Sequence, residues 1–374
     1  MTTITPAQKD GGATILEIGQ QPAAWREVAA ATDARTEEFL RDVLGVPDLR
    51  IVLTGAGSSA FAGDIVAPAL RRNLRRRVEA IPTTGIVANP HDHLERRTPT
   101  LVISFGRSGN SPESTATTEL ADALVDDVWH LVLTCGRDGQ LAREHTGRPR
   151  SLVVYMPEQT NDTGFAMTSS LTSMMLSCLL LLGGATAGDV EAVAAAGQYV
   201  IDRQADIRAL AQVKRQRFVY LGSGPLGGLA RESALKILEL TAGEVVTYYD
   251  SPLGFRHGPK SVLDSDTLAV VYLSTDPYTR RYDLDIVAEI REQLGSDSVV
   301  VLSTEPVPDA SGPVVVVPGL AGLGDSAVAV AYLVFAQYLA LFTSLEYGKT
   351  PDNPFPAGEV SRVVRGVTIY PMEG

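Results

Sequence analysis

Two stretches of this chain are built alike. Arg50-Ile51-Val52-Leu53-Thr54 runs into Gly55-Ala56-Gly57-Ser58-Ser59, and Arg217-Phe218-Val219-Tyr220-Leu221 runs into Gly222-Ser223-Gly224-Pro225. A short apolar run that ends in a glycine turn and opens a helix predicts a strand buried on both faces. Strands of that kind belong to parallel sheets, whose crossover connections are helices. The same unit found twice predicts a tandem pair of α/β domains.

The remaining pattern extends both copies. In the first, Leu101–Phe105, His130–Thr134 and Ser151–Tyr155 read as strands, with helices at Ala60–Arg72, Pro112–Leu124 and Met167–Leu182. In the second, Leu268–Tyr272, Ser298–Leu302 and Pro313–Val317 read as strands, with helices at Asp283–Leu294 and Ala327–Leu345. The expected fold is therefore two tandem α/β domains. Each is a parallel sheet flanked by helices, a flavodoxin-like or Rossmann-like three-layer sandwich. The expected boundaries are a helical arm over 1–45, a first domain over 46–190, a helical linker over 191–212, a second domain over 213–346 and a tail over 347–374. Ala327–Leu345 approaches the length of a membrane span, but Gln337 interrupts it and no Lys/Arg cluster precedes it. It reads as a buried core or interface helix.

Charge and cysteine content narrow the function. The 32 Lys and Arg stand against 44 Asp and Glu, a net charge of −12. That argues against a nucleic-acid partner, which calls for a basic domain. It leaves room for a small anionic substrate in a locally positive pocket. The two cysteines, Cys135 and Cys178, lie in apolar runs and form no disulfide framework, which fits a reducing cytoplasm. The N-terminus lacks the charged and apolar regions of a signal peptide.

Ligands of open parallel sheets bind beyond the carboxyl ends of the strands. Two hydroxyl-rich turns are expected there, Gly55–Ser59 and Gly106-Arg107-Ser108-Gly109-Asn110-Ser111. Small residues admit an anion, hydroxyls donate to it, and a helix N-terminus adds free N–H groups. Each loop alone could be only a tight turn; the pair suits a phosphate. The third glycine of a dinucleotide fingerprint is missing, and no GKS or GKT marks a nucleotide P-loop. A second group of candidates is Lys236, Glu239 and His257. A cation, a carboxylate and an imidazole can move a proton beside a carbonyl. On spacing alone, however, Glu232, Lys236 and Glu239 form a polar helix face opposite Ala234, Leu238 and Thr241, and such a face is ordinarily solvated. His91-Asp92-His93 reads as an exposed loop without a third metal ligand. His130 and His145 have no readable role. Asp162 and Thr163 read as caps of the helix that follows, and Thr168 could donate to an anion.

Taken together, the strand–GxGSS–helix unit, the SFGRSGNS loop, the QTNDTGFAMTSS turn, the ESALKILELTAGE helix and the GFRHGP loop resemble the sugar isomerase (SIS) superfamily. The tandem pair resembles the isomerase half of glucosamine-6-phosphate synthase. Within the superfamily it is most similar to the AgaS-type branch, called tagatose-6-phosphate aldose/ketose isomerase or galactosamine-6-phosphate deaminase. The likeness covers roughly residues 46–374. It implies that Gly57, Ser58, Ser59, Ser108 and Ser111 hold a sugar phosphate, with Arg107 beside them. Thr168 matches a synthase threonine, whereas Met167 stands where the synthase has serine. Lys236 and Glu239 match the synthase lysine and its proton-shuttling glutamate. His257 matches the histidine that opens the sugar ring, supplied by a neighbouring subunit in synthase dimers, so a homodimer with shared sites is implied. Arg365 falls near the Schiff-base lysine of the synthase and departs from it. The synthase carries a glutaminase domain ahead of its isomerase half; with Met1-Thr2 as first residues, none is expected here.

The resemblance implies an enzyme acting on a 2-amino-2-deoxyhexose 6-phosphate, of galactosamine or glucosamine type. It would yield a ketohexose 6-phosphate and ammonia with no metal or redox cofactor. Two alternatives stay open: plain aldose/ketose isomerisation by the same proton shuttle, and a non-enzymatic sugar-phosphate sensor.

Overall fold

A computed structural model of the 374-residue chain describes residues 11–30, 33–307, 311–364 and 366–372. These form two compact units. The first-sheet unit gathers the described residues of Ala24–Asn161, Ser169–Ala187 and Ala357–Gly374. The second-sheet unit gathers those of Met1–Ala23, Asp162–Thr168 and Gly188–Pro356.

The first sheet contains β1 (Arg50–Thr54), β2 (Val78–Ala80), β3 (Thr100–Gly106), β4 (Val128–Thr134) and β5 (Ser151–Tyr155). All neighbours are parallel, in the order β2-β1-β3-β4-β5. Leu53 of β1 pairs with Ile103 of β3, which pairs with Leu131 of β4. Every residue of β1 and β3 is buried, as continuous apolar runs require. Helices α1 (Ser58–Leu74), α2 (Pro112–Leu124) and α3 (Ser169–Cys178) belong to this unit. Val52 and Val102 pack with Ala121 and Val125 from the α2 region and with Ile86 and Leu94. Trp25 is fully buried and donates its indole N–H to Thr172 Oγ1 at 3.0 Å, joining the preceding helical segment to α3. The α3 segment differs from expectation: it starts at Ser169, and Leu179–Gly183 continue it as a π turn.

The second sheet contains β6 (Arg217–Gly222), β7 (Val246–Asp250), β8 (Thr267–Tyr272), β9 (Val299–Ser303) and β10 (Val314–Val316), again all parallel. Its order, β10-β9-β8-β6-β7, is the order of the first sheet read from the opposite edge. The internal repeat seen in the sequence thus extends to the whole strand topology. Helices α4 (Pro225–Leu240), α5 (Pro252–Phe255), α6 (Pro277–Leu294) and α7 (Asp325–Glu346) belong here. Val219, Leu221, Ala269, Val271, Val299 and Val301 pack against Phe255 of α5 and Ile286, Val287 and Ile290 of α6. On the opposite face the Tyr220, Tyr272 and Tyr332 rings stack in series, with centroids 6.3 and 6.0 Å apart. Helix α6 begins earlier than expected because Asp276 caps it, accepting from the N–H groups of Tyr278 and Thr279 at 2.9 Å each, with Pro277 in the first turn.

Helix α7 is long and apolar enough to cross a membrane by length and composition, yet its apolar window is 94% buried within the chain. Its polar interruption, Gln337, is buried and accepts from Gln21 Nε2 at 2.8 Å. A satisfied buried amide belongs in a protein core.

Candidate active site

In each sheet the strand order reverses beside the first strand of the repeat, between β1 and β3 and between β6 and β8. A crevice at such a switch point is the usual ligand site of this topology. In the first sheet both serine-rich turns lie there. Gly57 caps α1 with φ 56° and ψ −129°, a conformation open to glycine and costly for other residues. Ser58 and Ser59 then open α1, both nearly buried. After β3, Gly136 donates its N–H to Arg107 O at 2.8 Å and Leu141 donates to Gly109 O at 2.9 Å, so the turn after β4 holds the Arg107–Ser111 loop. Ser108 is half-buried, and its Oγ accepts from Asn110 N at 3.3 Å. Ser111 caps α2, its hydroxyl 2.6 Å from that of Ser114. Arg107 is buried, and its Nη2 donates to the carbonyl of Arg362 in the C-terminal segment at 3.1 Å. Two helix N-termini, several hydroxyls and a guanidinium thus gather in one unit, a combination suited to an anion.

The second sheet repeats the backbone of this site but not its chemistry. Gly224 caps α4 with φ 55° and ψ −125°, matching Gly57. The hydroxyl of Ser223, after β6, donates to Asp283 Oδ1 at 2.6 Å. After β8, Ser274 N donates to Asp283 Oδ2 at 2.9 Å and Ser274 Oγ to Asp325 Oδ2 at 2.6 Å. Thr275 gives both its N–H and its hydroxyl to Asp325 Oδ1, at 2.7 and 2.8 Å. Two of the chain's own carboxylates, Asp283 and Asp325, therefore engage the hydroxyls that follow the second sheet's strands β6 and β8. Burial pushes the Asp283 carboxyl above the usual range, although the bonds from Ser223 and Ser274 oppose that.

Helix α4 carries the charged group. Glu232 and Lys236 are fully buried, with 0% and 1% of their side chains exposed, while Glu239 keeps 26%. Lys236 Nζ lies 2.5 Å from Glu239 Oε2 and 3.3 Å from Glu232 Oε1. The solvated polar face that spacing suggests is thus not what forms. The charged residues point inward, and Leu238 is the exposed one. Burial works against the Lys236 ammonium. Attraction from Glu232 and Glu239 and hydrogen bonds to both outweigh it, and its pKa is raised above the ordinary lysine range. The sequence singled out Glu239 and Lys236; Glu232, the second carboxylate on the ammonium, stood there only as part of the polar face.

His257 follows α5 in an exposed loop, its backbone N–H donating to Gly254 O at 2.9 Å. Phe255 is fully buried in the core beneath it. Thr168 is buried, and both its N–H and its hydroxyl reach the Asp162 carboxylate, at 2.7 and 3.1 Å. Asp162 thereby holds the residue that precedes α3, and the Thr168 hydroxyl spends its proton on it; Thr163, read from the sequence as a second cap, gives its hydroxyl to Glu17 Oε1 at 2.9 Å instead. Arg365 lies outside the described residues. Gly57, Ser58, Ser59, Arg107, Ser108 and Ser111 belong to the first-sheet unit, whereas Thr168, Lys236, Glu239 and His257 belong to the second-sheet unit.

The other histidines separate in kind. The exposed loop expected at His91-Asp92-His93 is instead a short helix, Pro90–His93, with His91 exposed and His93 half-buried. His130 and His145 are buried with ring centroids 4.6 Å apart; His130 Nε2 meets Asp122 Oδ1 at 2.9 Å and His145 Nδ1 meets Ser151 Oγ at 3.1 Å. Among the described residues no cluster of three or more His, Cys, Asp or Glu is arranged to hold a metal ion.

Comparison with known proteins places this geometry. Residues 47–183 match the SIS domain family. An AgaS protein of Streptomyces coelicolor is 53% identical over 367 residues, covering 96% of this chain and 95% of that protein. The D-galactosamine-6-phosphate deaminase AgaS of Shewanella sp. strain ANA-3 is 44% identical over 364 residues, covering 96% of this chain and 92% of that protein. Among solved structures, tagatose-6-phosphate ketose/aldose isomerase from Escherichia coli superposes with a TM-score of 0.91 at 42% identity, over 100% of both chains. With two parallel sheets in one topology and relatives matched along nearly their whole length, the chain belongs to the AgaS family of SIS-domain proteins.

Proposed function

We propose that this chain is an amino-sugar-phosphate deaminase/isomerase acting on a 2-amino-2-deoxyhexose 6-phosphate. The observation that carries the reading is the Lys236 ammonium, buried and held charged between two carboxylates of which only Glu239 is accessible. An isomerase needs one base to carry a proton between adjacent carbons and one fixed cation for the oxygen that gains charge. Ser58, Ser59, Ser108 and Ser111, with Arg107 beside them, hold the phosphate, and Gly57 gives the backbone room to approach it. Arg107 exchanges the Arg362 carbonyl for a substrate oxygen, and Thr168 joins the site only if its hydroxyl turns from Asp162.

The steps follow from these groups. His257 opens the ring by moving a proton between the ring oxygen and the anomeric hydroxyl. Glu239 removes the C2 proton and returns it to C1, while Lys236 holds the charge at O1. The C1 aldehyde becomes an alcohol and the C2 amine becomes an imine, because a second proton leaves the nitrogen and one is taken up by O1, so the step is a net isomerisation. Water adds to that imine and ammonia leaves, giving a ketohexose 6-phosphate. No step needs a metal or redox cofactor. The names of the curated relatives favour the galacto epimer and hence tagatose 6-phosphate as product.

His257 being exposed supports a further part of the reading, a homodimer in which it enters the neighbouring site. Leu238, Val246, Tyr249 and Leu253 are exposed on α4, β7 and α5 of the same unit. Exposed apolar side chains on the unit that also exposes a reactive group suit burial against a second copy. Two buried free thiols, Cys135 and Cys178, suit a cytoplasmic setting. Plain aldose/ketose isomerisation is the second reading, favoured by the name of the Escherichia coli structure. Ammonia release from galactosamine 6-phosphate, measured beside ketose phosphate formation, separates the two.

A further inference from the structure

The loop that carries His257 is gripped from one side by a single helix. Phe255 inserts between strands β6, β8 and β9 and helix α6, in contact with the cluster that contains Ile286 and Ile290. One turn of α6 away from Ile286 and adjacent to Ile290 stands Glu289. Its Oε2 accepts from Arg256 Nε at 2.7 Å, and its Oε1 accepts from Lys260 Nζ. Arg256 precedes His257, and Lys260 follows it across Gly258-Pro259. Between these anchors only His257 and Gly258 are exposed.

We propose that Glu289 is a positioning residue for His257: one carboxylate clamps both arms of the loop and fixes the direction in which the imidazole projects. Each contact is partly exposed, with side-chain exposures of 28% for Arg256, 25% for Lys260 and 35% for Glu289. Exposed ion pairs contribute little to global stability. Their effect here is local: they remove freedom from a loop whose tip carries a reactive group, and misplacement of such a group costs turnover without loss of substrate binding. The two cations hold the Glu289 carboxyl below the usual range, so the clamp stays charged at neutral pH.

The inference rests on the proposed role of His257 in ring opening, so its test compares a closed and an open sugar. Glu289→Gln keeps the shape and removes the charge. With galactosamine 6-phosphate, kcat should fall about tenfold while KM stays within about twofold. Affinity for 2-amino-2-deoxygalactitol 6-phosphate, which has no ring to open, should stay within about twofold of wild type. Glu289→Asp should recover part of the loss. Amide hydrogen exchange across residues 255–260 should rise in Glu289→Gln at unchanged melting temperature. If that variant does not fold, Arg256→Gln and Lys260→Gln each remove one arm and should each show a smaller kcat loss. Wild-type turnover and unchanged loop exchange in a folded Glu289→Gln protein would overturn the clamp. Should wild type itself release no ammonia, the deaminase reading fails, and the exchange measurement alone decides the clamp: faster exchange supports it, unchanged exchange rejects it.

Discussion

Lys236 Nζ is shared by Glu239 and Glu232, at 2.5 and 3.3 Å, and only Glu239 reaches solvent. The asymmetry assigns different work to two like residues on one helix. Glu232, fully buried, is a fixed counter-charge. In the proposed reaction Glu239, which keeps 26% of its side chain exposed, gives up its contact with Lys236 to take the substrate proton. Glu239→Gln should therefore lower turnover by at least about a hundredfold with substrate affinity largely kept, the scale of a lost general base. Near-normal turnover in this variant would sink the assignment.

The same arrangement has a stability consequence. Lys236→Met leaves the Glu232 carboxylate buried without its cation, a change that costs about 3–5 kcal/mol. Urea unfolding should register it. Adding Glu232→Gln to the same chain should return part of the loss, because the stranded charge is gone. A Lys236→Met protein that unfolds within about 1 kcal/mol of wild type would show that the ammonium and Glu232 are not coupled as the geometry indicates.

Shared sites predict complementation. His257→Ala and Glu239→Gln chains should each be inactive alone, yet a mixture refolded together should regain activity, because mixed dimers contain one site with both groups intact. Sedimentation gives the mass in parallel. A fully active monomer, or a dimer that never complements, argues that His257 serves its own chain.

Acid should weaken the first-sheet unit through His145. Burial, with His130 and Arg148 nearby, lowers the His145 pKa to about 4; Asp122 opposes this only in part. The unfolded chain takes up the proton below its ordinary pKa near 6.5, whereas the folded chain does so only near 4. Stability from this group is thus complete above about pH 6.5 and is lost as pH falls toward 4, by up to roughly 3 kcal/mol. His145→Asn keeps an acceptor near Ser151 and removes the titration. Its denaturation midpoint should depend less on pH across that window than that of wild type; equal slopes would remove His145 from the account.

Much of the fold could be read from the residues. Strands β1, β3, β4 and β5 are apolar runs, and their counterparts β6, β8, β9 and β10 follow the same rule. Strands β2 and β7 could not be read this way. Val78–Ala80 is only three residues long, and Val246–Asp250 is a half-exposed edge strand with Thr and Asp among its tyrosines. Both are edge strands, but unlike the edge strands β5 and β10 they carry charged or polar residues within the run and so give no continuous apolar signal. The orientation of α4 was hidden for a related reason. Spacing defines the Glu232–Lys236–Glu239 face, but not that paired charges let it turn inward. Both serine turns were legible because hydroxyls after a strand are a local signal. The carboxylates that engage the hydroxyls after the second sheet's strands come from Asp283 and Asp325, distant in sequence from Ser223, and no local pattern links them.

The most direct measurement mixes the wild-type protein with galactosamine 6-phosphate and follows ammonia and ketohexose 6-phosphate in the same samples. The account predicts that both appear at equal rates, with no added metal or redox cofactor, and that Glu239→Gln abolishes both together. Ketose phosphate formed from a neutral aldose 6-phosphate, with no ammonia from the amino sugar, would contradict the deaminase and leave a plain isomerase in its place.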